Sequence, residues 1–237
     1  MDQDREGRQR INLKEENNVT TILCIPDLHI PFEHSDALEF VCGIRDAYKP
    51  DIIVNLGDEV DQYAFSLYDK SPDSLGVVDE LDEAVESLAY WVEEFPKVKV
   101  CYGNHSLRYL KKALRAGIPE RLLKGLREFL ELPKSWEYAP EWIIQGIRFF
   151  HGEPFSGPQA PNQMLATRRQ NQVHGHLHGL AGVTYENNGQ ETLWVLSCGC
   201  LIDEKTYAFH YTAKARKKPI LGVGLIVDGV PIFEPMR

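Results

Sequence analysis

The residues best equipped for chemistry in this 237-residue chain are its histidines, and they are unevenly placed. Five of the eight fall in short polar runs that also carry carboxylates, an amide and glycines. These runs are Asp27-Leu28-His29, Gly57-Asp58 with Asp61 three residues on, Gly103-Asn104-His105, His151-Gly152 and Gly175-His176-Leu177-His178. Carboxylate oxygen, imidazole nitrogen and amide carbonyl form a borderline-to-hard donor set. It suits Mn, Fe, Zn or Ni better than copper or an iron–sulfur cluster. No cysteine joins these runs, which argues against a structural zinc site. The chemistry such donors fit is a site for two divalent metals. In extended chain the i, i+2 pairs Asp27/His29 and His176/His178 direct both side chains to one side. The glycines let the backbone turn sharply and bring short side chains into a crowded site.

The elements that must position these runs can be read from hydrophobic pattern. Thr21 to Ile25 is a short apolar, β-branched run ended by Pro26, which predicts a buried strand. Ser35 is placed to cap a helix carrying Leu38, Val41, Cys42 and Ala47, ending before Pro50. Ile52 to Leu56 is a second strand, closed by Gly57, and the strand–helix–strand order implies a parallel sheet. Val78, Leu81, Val85, Leu88, Trp91 and Val92 share one face of a helix, with acidic residues between them turned to water. Val98, Val100 and Tyr102 alternate into a third strand ended by Gly103, and helices are expected over 105–116 and 119–131. After Pro133 short strands dominate, at 142–144, 147–150, 172–174, 182–185, 192–196, 220–227 and 230–233. Asn187-Asn188-Gly189 and Asp228-Gly229 are hairpin turns. Every polar run therefore follows a strand, and parallel sheets bind ligands beyond the carboxyl ends of their strands. The expected architecture is an α/β fold: a four-layer α/β/β/α sandwich of two stacked mixed sheets flanked by helices. A dinuclear metal site would lie at the strand C-terminal ends. Residues 1–18 are polar and read as a flexible arm, with a single domain over 19–237.

Composition narrows the class. Lys and Arg number 26 against 35 Asp and Glu, for a net charge of −9, which disfavours loose charge-driven binding to nucleic acid. With 43% hydrophobic residues the chain can build an ordinary globular core. No apolar run approaches the ~20 residues of a membrane span, so no membrane partner is expected. The polar start lacks the apolar core of a signal peptide. Five scattered cysteines suggest reduced, mostly buried thiols and a cytoplasmic location.

Taken singly, each polar run also has an ordinary reading as a turn, a helix cap or a hydrogen-bonded histidine. Their joint order carries the weight. In that order they resemble the calcineurin-like metallophosphoesterases, whose pattern is Asp-x-His, Gly-Asp-x-x-Asp/Asn, Gly-Asn-His-Asp/Glu, His and Gly-His-x-His. The sequence reads DLH at 27–29, GDEVD at 57–61, GNHS at 103–106, His151 and GHLH at 175–178. The resemblance implies one ion held by Asp27, His29, Asp58 and His178, and another by Asp58, Asn104, His151 and His176, with Asp58 bridging. It implies that His105 sits over the reacting phosphate and that Asp61 orients it. The cofactors would be two divalent ions, Mn first, with Fe, Zn, Ni or Mg as alternatives. A hydroxide bridging them would attack phosphorus in line with the leaving oxygen, and a protonated His105 would stabilise or protonate that oxygen. Three positions depart from the expected patterns. Gln62 and Tyr102 stand where protein Ser/Thr phosphatases carry phosphate-binding arginines, and Ser106 replaces the usual acid after Gly-Asn-His.

Substrate is less legible. Arg108, Lys111, Lys112 and Arg115 recur on one helix face and could track a nucleic-acid backbone, or could be a solvated face. Arg168-Arg169 and the run Lys214-Ala215-Arg216-Lys217-Lys218 share that ambiguity. Tyr63, Phe65 and Tyr68 could stack a base, though core packing is the ordinary role of such residues. His34 and His174 are expected to hydrogen-bond nearby or face solvent, and His210 to have no special role. The leading expectation is hydrolysis of a nucleotide or nucleic-acid phosphoester, with DNA among the candidates, by a phosphodiesterase, nuclease or phosphatase. A small non-nucleotide metabolite is the alternative, and a non-catalytic binding module of this fold the third. Nothing in the sequence speaks to oligomeric state.

Overall fold

The computed structural model describes residues 11–13, 21–66, 70–209 and 218–237. Most of the expected arm, Tyr68, His210 and the basic residues Lys214, Arg216 and Lys217 lie outside the described residues. Within the arm, Ile11–Leu13 forms a strand, β1.

Thr21–Ile25 (β2) is buried along its whole length because both of its faces are covered. Ile22 and Cys24 enter one apolar core, Leu23 and Ile25 another. Ala37–Tyr48 (α1) follows; its cap is Asp36, not Ser35, and no side-chain hydrogen bond closes it. Ile52–Asn55 (β3), Val77–Glu94 (α2) and Val98–Cys101 (β4) complete the parallel start. Arg108–Arg115 (α3) is followed by a single 3₁₀ turn at Glu120–Leu122 and a short Leu126–Phe129 (α4), where the sequence pattern predicted one helix over 119–131. Gly125 divides that stretch. Trp136–Ala139 (β5) has no counterpart among the sequence expectations. The remaining elements are Glu141–Ile144 (β6), Ile147–Phe150 (β7), Ala160–Arg168 (α5), Gln172–His174 (β8), Ala181–Asn187 (β9), Thr192–Cys198 (β10), Gly222–Val227 (β11) and Val230–Pro235 (β12).

Two six-stranded mixed sheets result, in the orders β1-β6-β7-β8-β10-β9 and β12-β11-β2-β3-β4-β5. Strands β2, β3, β4 and β5 run parallel, as do β7, β8 and β10. Ile22, Val54 and Cys101 of one sheet meet Trp142, Phe149 and Leu196 of the other in the central core. Leu88, Trp91 and Phe95 cover the outer face of the β2 sheet, and Met164 and Leu165 of α5 cover the outer face of the other. The layers are therefore α/β/β/α. Each large apolar side chain so buried contributes about 1.5–3 kcal/mol of transfer free energy. Among the described residues no helix is long and apolar enough to cross a membrane.

One helical face differs from its sequence reading. Val78 of α2 is exposed, whereas Glu80 is buried with Ala84, Leu88 and Trp91. The Glu80 carboxylate accepts the backbone N–H groups of Tyr63 and Ala64, both at 2.6 Å, which turns it inward beside the loop that carries Asp61.

Candidate metal centre

The carboxyl ends of β2, β3, β4, β7 and β8 converge on one point, and each delivers a polar run to it. Asp27 and Asp58 cross from one sheet; His151, His176 and His178 come from the other. Three of these side chains sit on left-handed backbone: His29 (φ 54°), Asp58 (φ 52°) and His176 (φ 64°). For non-glycine residues that conformation costs on the order of 1 kcal/mol each and is concentrated at functional sites. The turn at His176 changes the outcome expected of its i, i+2 spacing. His176 joins Asp58 and His151, while His178 joins Asp27 and His29.

Two glycines allow the close approach. A Cβ at Gly103 would strike the Asp58 carboxylate, and one at Gly175 would strike that of Asp27. The backbone then fixes both acids. His105 N–H donates to Asp58 Oδ1 at 2.7 Å and His176 N–H to Asp27 Oδ2 at 2.8 Å. Asp58 Oδ2 is left facing inward, 3.1 Å from His151 Nε2 and 3.9 Å from His29 Nε2. Asp58 thus stands between the two groups, as a bridging ligand must.

The imidazoles are oriented from behind. His29 Nδ1–H donates to Asp61 Oδ2 at 2.7 Å, and His151 Nδ1–H to the Leu56 carbonyl at 3.0 Å. Their Nε2 lone pairs are thereby turned inward. His29 Nε2 lies 3.2 Å from His178 Nε2, and His151 Nε2 lies 2.9 Å from Asn104 Oδ1. Lone pairs and carboxylates facing one another need cations between them, so the donor set fits divalent metal. Protons feel the same field. Burial opposes charge on His29, but Asp27 and Asp61 outweigh it and push the ring up to about 10. For His151, burial is outweighed by Asp58, and the ring rises to about 9. Burial would raise Asp58, yet the charge of His151 and its hydrogen bond hold the carboxyl well below the usual range.

His105 also approaches His29 and Asp58 closely enough to be a metal candidate. Both its ring nitrogens are engaged elsewhere, however: Nδ1 with Asp61 Oδ2 at 3.1 Å and Nε2 with Arg108 Nη2 at 3.1 Å. Asp61 therefore serves two histidines and an arginine, since Arg108 Nη1 donates to its Oδ1 at 2.6 Å. The link from Asp61 to His29 was not foreseen from spacing.

The departures in sequence acquire physical reasons. Ser106 Oγ–H donates to Glu59 Oε2 at 2.8 Å and Tyr138 O–H to Glu59 Oε1 at 2.9 Å, so the acid missing after Gly-Asn-His is supplied from the β3 loop. Burial pushes Glu59 up to about 7. Gln62 ties the same loops, donating to the Ser106 carbonyl and accepting from Tyr109 N–H, both at 2.8 Å. Of the basic stripe, Arg108 turns into the site while Lys111, Lys112 and Arg115 are exposed. Arg169 pairs with Glu186 at 2.7 Å. Tyr63 packs edge-on against Phe32 and Tyr207. His174 bonds Ser197 Oγ at 2.8 Å, and His34 Nδ1 accepts from Asp36 N–H at 3.2 Å. Phe209, which the sequence reading passed over, lies edge-on to His29 and, more distantly, His178, with centroids 5.4 and 6.4 Å away. No motif marks it; only the fold brings it there. All five cysteines are free.

A mixed two-sheet sandwich with carboxylates and histidines gathered at its strand ends defines a class of metal-dependent phosphoesterases. Residues 20–197 match the calcineurin-like phosphoesterase family, and the chain belongs to it. Among solved structures, a metallophosphoesterase from Sphaerobacter thermophilus is similar at 18% identity, covering 93% of this chain and 89% of that one, with a TM-score of 0.50. The phosphoesterase Yfce from E. coli is also 18% identical over 89% of this chain and 90% of its own, with a TM-score of 0.44. Vacuolar protein sorting 29 from Cryptosporidium parvum is 15% identical, covering 92% and 96%, with a TM-score of 0.46. No curated protein matches the sequence significantly.

Proposed function

We propose that the chain is a metal-dependent hydrolase of phosphoester bonds that acts on a nucleotide or nucleic-acid substrate. The observation that carries the reading is the position of Asp58, with one oxygen fixed by backbone and the other shared between two histidine groups. Asp27, His29, Asp58 and His178 would hold one divalent ion, and Asp58, Asn104, His151 and His176 the other. Such ions, when bound, supply Lewis acidity toward phosphate oxygens and acidify a water for attack on phosphorus. The protein's own part is to fix these donors, to keep His105 at the mouth of the site through Asp61, and to exclude bulk water with Phe209. Exposed Lys111 and Lys112 on α3, the helix leading away from His105, favour a polyanionic substrate over a small metabolite. Free cysteines, four of the five buried, favour a reducing, cytoplasmic setting.

The test is a turnover screen of Mn²⁺-loaded protein on p-nitrophenyl phosphate, bis-p-nitrophenyl phosphate, cyclic nucleotides and DNA. We expect hydrolysis that disappears with chelator, with a nucleotide or DNA preferred and steep salt dependence on DNA. Preference for small non-nucleotide esters would move the assignment to a metabolite. Bound Mn²⁺ without turnover of any ester would favour a binding module.

A further inference from the structure

We infer that Arg108 binds the phosphoryl group of the substrate as the fixed cation of the site. This deepens the phosphoesterase reading and rests on it. Arg108 begins α3, yet its side chain leaves the face shared with Lys111 and Lys112 and bends back over the metal centre. Nη1 donates to Asp61 Oδ1 at 2.6 Å and to the Asp61 carbonyl at 3.1 Å, and Nη2 lies 3.1 Å from His105 Nε2. A guanidinium has five N–H donors, so these three contacts leave it capacity for substrate oxygens.

Accessibility distinguishes the groups a substrate can meet. The Asp27 and His29 side chains are fully buried, and those of Asp58 and Asp61 are 1% exposed. The rim includes Arg108 at 19%, His178 at 15% and His105 at 13%, with Asn104 and His176 also partly exposed. Within that rim the guanidinium is the permanent charge, and its planar fork matches two phosphate oxygens. The geometry also orders the roles of its neighbours. Nε2 of His105 accepts from Arg108, and Nδ1–H of His105 donates to Asp61. Asp61 and His105 therefore brace the arginine on two sides and aim its remaining edge at the mouth of the site. Asp61, 47 residues away in the chain, and His105, one turn back, converge on one cation, which a solvated helix face would not require.

The test uses full-length, Mn²⁺-loaded protein and the variants Arg108→Gln and Arg108→Lys. Inorganic phosphate binding is measured by calorimetry, alongside metal content and kcat and KM for a nitrophenyl and an alkyl phosphoester. Arg108→Gln should keep its metal and bind phosphate about 10- to 100-fold more weakly, the worth of a charge-assisted hydrogen bond. Its kcat should fall further on the alkyl ester, whose leaving oxygen carries more charge, and Arg108→Lys should recover part of the phosphate affinity. Phosphate affinity equal to wild type in metal-replete Arg108→Gln would overturn the assignment. Should that variant not fold, Arg108→Lys decides: intermediate affinity supports the inference, and wild-type affinity with unchanged leaving-group dependence overturns it. A wild-type protein that neither hydrolyses esters nor binds phosphate would remove the phosphoesterase reading and this one together. Wild-type activity matched by Arg108→Gln removes this one alone.

Discussion

Replacing Asp61 by Asn would test how the centre is held together. Asp61 is buried and accepts three hydrogen bonds through its two oxygens, from His29 Nδ1 at 2.7 Å, His105 Nδ1 at 3.1 Å and Arg108 Nη1 at 2.6 Å. An asparagine keeps one acceptor oxygen. Turned toward the imidazoles, it presents its NH₂ to the Arg108 guanidinium, donor against donor; turned the other way, it presents NH₂ to His29 and His105. Either way at least one charge-assisted bond is lost, each worth roughly 1.5–3 kcal/mol. Arg108 is partly exposed and can recover water, so the cost belongs near the lower end, about 2 kcal/mol. The effect on metal is separate. Removing the carboxylate behind a ligating histidine typically weakens metal affinity about 10- to 100-fold. Mn²⁺ titration calorimetry on metal-free Asp61→Asn should show that loss, and urea unfolding should show the stability decrement. Mn²⁺ affinity within twofold of wild type in a folded Asp61→Asn protein would refute the claim that Asp61 orients His29.

Three further outcomes follow from the same geometry. Gly103→Ala should lose both stability and Mn²⁺ affinity, the latter by at least ~10-fold, because its methyl group meets the Asp58 backbone nitrogen as well as its carboxylate; urea unfolding, calorimetry and metal analysis would decide it. Mn²⁺ binding at pH 7 should release protons and tighten as pH rises, since His29 and His151, pushed up to about 10 and 9, hold protons that metal must displace. Titrations in buffers of different ionisation enthalpy measure that release, and none at all would contradict it. Burial pushes Glu80 up to about 7, partly offset by the Ala64 N–H, so the folded state holds its proton more tightly than the unfolded chain. The stability this contributes is complete below the ordinary carboxylate range and is lost as pH rises through about 7. Urea midpoints of Glu80→Gln should therefore decline less than wild type between pH 5 and 8, and parallel slopes would count against it.

What the amino-acid sequence determined is local. Apolar runs of strand length and period specified the strands β2 to β4 and β6 to β12, and glycines beside four of the five polar runs marked where chain could turn into a crowded site. Those are short-range properties, set by neighbours within a few residues. They failed where a distant partner overrode them. Glu80 reads as a solvated helix residue until two backbone N–H groups from another loop capture it, and Ser106 reads as a lost acid until Glu59 and Tyr138 close around it. Likewise the spacing of His176 and His178 suggested one direction for both, and a left-handed turn sent them to different groups. Arg108 carried the same periodic signal as Lys111, and only the approach of Asp61, 47 residues away in the chain, separated a site residue from a surface charge. Donor identity is written residue by residue, but which donors face each other is chosen by the packing of two sheets, and no local period encodes that choice.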